Sequence, residues 1–143
     1  MKNKINNKAK KIIRAWLGLA LCITTLFMLT ACGESTPIEG LIISNEAYDS
    51  AAEIGNAEQP VDLSVGDTVY GSVSFIESPK GMKYQAKWLL DGKEIKIDEK
   101  AMETDKRGEL VFPLEAQKLA AGTLKLQILY KDEVLAEKEV LVK

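Results

Sequence analysis

Apolar residues follow two regimes along this chain. Ala15 to Leu29 is a run of fifteen residues without a charge. Beyond residue 60, apolar and polar positions instead alternate one by one, the period of a half-buried strand. Met82, Tyr84, Ala86, Trp88 and Leu90 share one parity and Lys83, Gln85 and Lys87 the other, so that strand has an apolar face and a wet face. Asp91-Gly92 ends it with a hairpin turn signal, after which Ile95 and Ile97 alternate with Glu94 and Lys96. Upstream, Val69, Val73 and Phe75 alternate with Tyr70, Ser72 and Ser74 as far as the turn Ser78-Pro79-Lys80-Gly81.

Further on, Asp105 to Gly108 is a polar break, and Leu110, Phe112 and Leu114 then share a parity. Pro113, with no N–H to give a ladder, limits their strand to an edge or an end. Glu115 to Ala121 is rich in helix formers and stops at Gly122, which predicts a helical turn between strands. Leu124, Leu126, Ile128 and Tyr130 make the last clear alternation before Lys131-Asp132-Glu133 turns the chain into Val134 to Val142. Leu41-Ile42-Ile43 predicts an edge strand, followed by an acidic loop to Pro60. Leu89 and Leu129 fall on the wet parity, where exposure is expected.

Short strands separated by turns predict an all-β antiparallel sandwich of about seven strands. Its expected core contains Val73, Phe75, Tyr84, Trp88, Phe112, Leu126, Ile128 and Tyr130. Trp88 in the middle strand, the Asp91-Gly92 turn after it, and a strand opened by Gly122-Thr123 and ending in Tyr130 resemble the immunoglobulin-like modules of bacterial surface proteins. The resemblance spans residues 61–143 and extends to 41–60 as edge strand and loop. No cysteine pair flanks Trp88, so packing of the indole stands where antibody-type domains have a disulfide.

The apolar run has a separate meaning. Lys2, Lys4, Lys8, Lys10, Lys11 and Arg14 precede it with no acid among them, the pattern of a leader retained on the cytoplasmic side during export. As a helix the run would reach roughly 22 Å, short of the roughly 30 Å needed for a stable span. It therefore reads as an export signal, and it closes on Leu29-Thr30-Ala31-Cys32, which resembles the lipobox of bacterial lipoprotein precursors. The resemblance implies that the Cys32 thiol receives a diacylglyceryl group through a thioether and that cleavage falls between Ala31 and Cys32. The freed α-amine of Cys32 is open to further acylation. Two chains hold durably where one is marginal, at about 0.8 kcal/mol per buried methylene.

The organisation that follows is a signal peptide over 1–31 (leader 1–14, apolar core 15–29), a flexible tether over 32–40 and a sandwich over 41–143. The implied partners are the membrane, through covalent lipid, and the lipoprotein-processing enzymes. The implied location is the extracytoplasmic face of the bacterial cell membrane. Cys22 lies in the segment to be removed, so the processed chain keeps one cysteine and no intramolecular disulfide.

Charge looks different once the leader is set apart. Six of the 19 basic residues lie in the leader and all 21 acids follow Cys32, so the chain from Cys32 onward carries a side-chain charge of −8. That balance disfavours nucleic acid and a polybasic membrane-binding surface. Glu46, Asp49 and Glu53 lack the spacing of a calcium loop. With no histidine in the chain, Ser-His-Asp and Cys-His catalysis cannot be assembled, and neither phosphate-cradling glycine motif is present. No catalytic residue, metal or cofactor is expected. Lys80, Lys83, Lys87, Lys93, Lys96 and Lys100 concentrate positive charge on one hairpin, either balanced by intramolecular acids or offered to an anionic wall polymer or acidic partner. The function expected is a non-enzymatic interaction module with a protein or cell-wall partner. The alternatives are a small-ligand- or wall-polymer-binding lipoprotein, or an inhibitor of an envelope-directed enzyme.

Overall fold

The computed structural model describes residues 36–143. They form eight strands: β1 Ile38–Ser44, β2 Asp62–Leu63, β3 Val69–Ser78, β4 Lys83–Leu90, β5 Lys93–Ala101, β6 Lys106–Leu114, β7 Gly122–Tyr130 and β8 Glu133–Val142. A short helix, α1, covers Ala51–Asn56, and one 3₁₀ turn, Ala116–Lys118, falls within the segment predicted to be helical.

The strands make a three-stranded sheet, β1-β3-β6, and a five-stranded sheet, β2-β8-β7-β4-β5. Neighbours are mostly not consecutive in sequence. β3 pairs with β6 and β4 with β7, and the chain crosses between sheets after β1, β2, β3, β5 and β6. This is the immunoglobulin-like sandwich: β1, β3 and β6 take the places of strands A, B and E, and β4, β7 and β8 those of C, F and G. β5 lies beside β4 as the additional strand of variable-type domains. β2 was not expected, and its pairing with β8 is parallel, Asp62 opposite Leu141 and Leu63 opposite Val142.

The inner faces supply one core. Val73, Phe75 and Phe112 from one sheet meet Tyr84, Trp88, Leu126 and Ile128 from the other, all at 0–1% exposure. Tyr130, expected in the core, is only half-buried at its margin. Trp88 is the largest side chain in the interior, and Gly71 on β3 makes room for it. A Cβ at Gly71 would meet Leu126 Cδ2 and lie 3.2 Å from Trp88 Cζ2.

Three sequence expectations change. First, β1 begins at Ile38, within the predicted tether, because Ile38 and Gly40 already pair with Phe75 and Ser74. Second, Ser72 and Ser74 are buried although they face away from the core. The predicted acidic loop covers that face: Tyr48 N donates to Ser72 Oγ at 3.0 Å, and α1 packs Ile54 against Gly40, where a Cβ would lie 2.8 Å from Ile54 Cγ2. Ser50 caps α1, its Oγ accepting from Glu53 N while donating to the Glu53 carboxylate. Third, Leu129 is 4% exposed and Leu89 half-buried. Bulges break the register at Trp88/Leu89 and at Ile128/Leu129, and Leu129 sits mid-sheet between Gln85 and Val134.

Both edges of the three-stranded sheet are closed by side chains. On β1, Lys138 Nζ donates to Leu41 O at 2.9 Å, and the Gln59 amide both accepts from Ile43 N and donates to Ile43 O. On β6, Lys96 Nζ donates to Pro113 O at 2.5 Å and Lys100 Nζ to Val111 O at 2.6 Å. Unpaired edge carbonyls invite further strands, and an ammonium on each blocks them. Lys96 also bridges Asp98 (2.8 Å) and Glu115 (2.9 Å) and is 11% exposed.

Lys96→Met should destabilise the domain by about 1.5–3 kcal/mol, the range for losing hydrogen bonds to a charged group, measured by urea unfolding. Its pH dependence identifies the clamp. The hydrogen bond from Lys96 holds the Glu115 carboxyl below its ordinary range; burial works to lower the Lys96 ammonium, but its bonds to Asp98 and Glu115 raise it. The stabilisation is therefore present above the ordinary carboxylate range and lost as pH falls through the lowered Glu115 value. On the alkaline side it is complete below the ordinary lysine value and lost as pH rises through the raised Lys96 value. The gap between parent and variant should narrow at acid pH.

Candidate functional site

The lipobox residues Leu29, Thr30 and Ala31, and the lipidation site Cys32, lie outside the described residues. The fold does determine where a chain arriving from them joins the sandwich. Pro37 O accepts a hydrogen bond from Ile76 N at 2.9 Å, next to the end of β3. Paired strand ends put the turns β3–β4, β5–β6 and β7–β8 at this same end, with Ser78 opposite Lys106, Lys83 opposite Ala101 and Tyr130 opposite Glu133.

Backbone hydrogen bonds tie the β3–β4 turn to the end of β5. Gly81, at φ 84°, donates its N–H to Met102 O at 2.8 Å, and Met102 N returns a bond to Met82 O at 2.8 Å. Lys131 and Asp132, at φ 48° and 68°, form the tight β7–β8 turn. Between these turns lies an open cleft of about 540 Å³ lined by Lys80, Lys83, Lys131, Glu99, Met82 and Tyr130, among others. A second cleft of about 660 Å³ shares Pro79 and carries Lys106 and Arg107 with Glu77 and Asp105. A series of mutually tilted aromatic rings leads from the core to the first cleft. Phe75 and Tyr84 have ring centroids 4.3 Å apart, Tyr84 and Tyr130 5.9 Å, and Lys131 Nζ lies 5.1 Å from the Tyr130 ring centroid. Tyr84 OH donates to Ser78 Oγ at 2.9 Å, satisfying its buried hydroxyl.

The lysines of the β4–β5 hairpin do not form one surface. Lys83 pairs with Glu99 at 3.1 Å and Lys87 with Glu94 at 3.9 Å, while Lys96 and Lys100 reach back to cap β6. Of the expected cluster, Lys80 and Lys83 join the end cleft, where Lys131 from a distant turn meets them. Nothing in the spacing of Lys131 announces this. On the outer face of the five-stranded sheet, Lys125 bridges Glu137 and Glu139, and these exposed pairs contribute little to stability. Hydrogen bonding by Gln127 and then the Lys125 charge lower the Glu137 pKa.

Five cations and three acids line the two end clefts, and Glu39, Glu103, Asp132 and Glu133 lie at the same end, so positive charge is local to the clefts and does not extend over the whole end. The acid-only stretch to Asp67 crosses the outer face of the three-stranded sheet and reaches the opposite end. Along this path the hydrogen bond with Glu46 raises the Tyr48 phenol, and Ala51 N donates to Glu109 Oε1 at 3.1 Å beside Ser74, nearer the tether-side end. Among the described residues no group of three His, Cys, Asp or Glu side chains is placed to hold a metal ion, and no helix is long and apolar enough to cross a membrane.

No protein-family model matches the chain, and no curated protein matches it. Solved structures with a similar fold include a β-glucosidase from Listeria innocua in complex with isofagomine, at 15% identity and a TM-score of 0.45, covering 60% of this chain and 15% of that one. An immunoglobulin-like protein from Pseudomonas aeruginosa aligns at 14% identity and a TM-score of 0.44, covering 71% and 96%. The CARDB domain of a Pyrococcus furiosus protein, in complex with di-metal ions, aligns at 11% identity and 0.39, covering 75% and 94%. The chain spans about 15% of the length of the glucosidase it resembles.

Proposed function

We propose that this chain is the precursor of a lipid-anchored, non-enzymatic immunoglobulin-like interaction module held at the extracytoplasmic face of a bacterial cell membrane. The observation that carries the reading is the position of Cys32. It ends an apolar run too short to span a bilayer, behind a cationic leader, and lies six residues before Ile38, where β1 begins. Anchor and fold are thus nearly contiguous, and little chain separates the lipid from the sandwich.

The interaction role is supported by what the domain offers chemically. The chain contains no histidine, and the three carboxyls with lowered pKa, Glu99, Glu115 and Glu137, are exposed and engaged with lysine or glutamine side chains rather than gathered in a cleft. Perturbed groups arranged in this way are structural ion pairs, not the paired acid and base of a hydrolase. Fractionation of cells producing the full chain tests the reading. The parent protein should partition with membranes and be digested by protease added to intact cells or spheroplasts. Cys32→Ala should leave the domain folded but unprocessed or released into soluble fractions. Parent protein found protected in the cytosol would overturn the proposal.

A further inference from the structure

The sheet edges of the sandwich are not equally guarded. Lys138 and Gln59 close β1, and Lys96 and Lys100, together with Pro113, close β6. β8 is covered at one end by β2, and its open stretch presents Glu137 and Glu139 two residues apart, so two copies meeting there would oppose carboxylates. β5 has none of these guards. It runs from Lys93 to Ala101 without a proline, and among the described residues no side chain bonds to its backbone. We infer that β5 pairs antiparallel with β5 of a second copy about a two-fold axis at Ile97, joining the two five-stranded sheets into one continuous sheet. The inference rests on the fold alone and stands whether or not Cys32 is acylated.

The register follows from the β4–β5 hairpin. Asp91 and Gly92, at φ 48° and 80°, close it as a two-residue turn, so Leu90 and Lys93 exchange both ladder bonds. Along β4, Leu90 and Trp88 therefore face β5, and Lys87 faces β7. Ile97 stands opposite Lys87, so its own N–H and C=O point away from the sheet and can bond those of Ile97 in a second copy. Its side chain is 45% exposed and would lie against its counterpart. The flanking charges suit the same axis, since Lys96 then stands opposite Asp98 of the other copy and Asp98 opposite Lys96, with no like charges opposed. Centring the pair on Glu99 would set that carboxylate against itself, and centring it on Ile95 meets the bulge that leaves Ile95 without a β4 partner. Charges pointing inward guard an edge when an added strand would bury them unpaired. Lys96 is already 11% exposed and bridged to Asp98 and Glu115 within its own domain, so pairing buries no uncompensated charge. The bulge keeps the ladder short, which places the interface below about 1,200 Å² in total, among weak and reversible pairs.

Sedimentation velocity tests this with residues 33–143, which contain both sheets and the whole core. A reversible dimer should grow in as the protein is raised from about 10 μM to about 1 mM, the range for an interface this small. Ile97→Lys sets two ammoniums opposite each other at an exposed position and should leave a monomer throughout, and Ile97→Glu should do the same with two carboxylates. Mixed in equal amounts, these two variants should form a heterodimer, because the axis places each residue 97 against its counterpart. Val134→Lys, at an exposed position on β8, should dimerise like the parent. Circular dichroism would confirm that all variants fold. A parent chain that stays monomeric at the highest concentration, a dimer that survives Ile97→Lys, mixed variants that stay apart, or a dimer lost through Val134→Lys would overturn the proposal.

Discussion

Trp88→Ala should leave the domain barely folded at room temperature. The indole is fully buried where the two sheets meet, and removing so large a side chain costs about 3–5 kcal/mol through lost burial and the cavity left behind. Small domains have only about 5–15 kcal/mol of stability in all. Thermal unfolding followed by circular dichroism should show a midpoint lowered by at least about 12 °C, at roughly 4–8 °C per kcal/mol for a domain near this size. A second variant separates volume from chemistry. Trp88 Nε1 is buried without a hydrogen-bond partner among the described residues, so Trp88→Phe removes an unsatisfied N–H along with part of the ring. It should cost clearly less than the alanine variant. If Trp88→Ala melted within a degree or two of the parent, Trp88 would not be the centre of this core.

The second large effect is expected at Gly71. The residue sits on β3 directly across from Trp88, and a methyl group there would overlap Leu126 Cδ2 and press on Trp88 Cζ2 and Cη2 at 3.2 and 3.3 Å. Both neighbours are themselves fully buried, so neither has space to retreat. Overpacking of this kind costs about 1–3 kcal/mol and more where the surroundings are rigid. Gly71→Ala should therefore approach 3 kcal/mol in urea denaturation. Truncating the obstacle should partly relieve it: in a double-mutant cycle, Gly71→Ala combined with Leu126→Ala should destabilise less than the sum of the two single changes. Strict additivity would mean that the two sites do not touch.

These two residues also mark how far the pattern of the chain could be read. Trp88 stands on an unbroken alternation from Met82 to Leu90, and a single buried face is a local property, so β4 and its hairpin with β5 were legible. Pro113 was likewise informative, since it falls on β6, an edge strand whose missing N–H faces no partner sheet. Gly71 was not legible, because its need for a bare backbone comes from Leu126 and Trp88, which reach it only once the sheets are stacked. The parallel pairing of β2 with β8 joins residues some eighty positions apart, and no local pattern reports it. α1 was missed, its segment being read as part of the acidic loop to Pro60, because six residues give too short a period to separate helix from loop. The lysines show the limit most clearly. Along the chain Lys96 and Lys100 look like members of a basic surface, while in the fold they lid the open carbonyls of β6; Lys131, outside the cluster, completes the cationic cleft.

The central claim concerns Cys32, and the most direct test is the mass of the amino-terminal peptide of the protein purified from bacterial membranes. The account predicts a chain that starts at Cys32, lacks residues 1–31, and carries a diacylglyceryl group on its sulfur, with or without a third acyl chain on the amine. An amino terminus at any other residue, or an unmodified Cys32 thiol in membrane-derived protein, would contradict it.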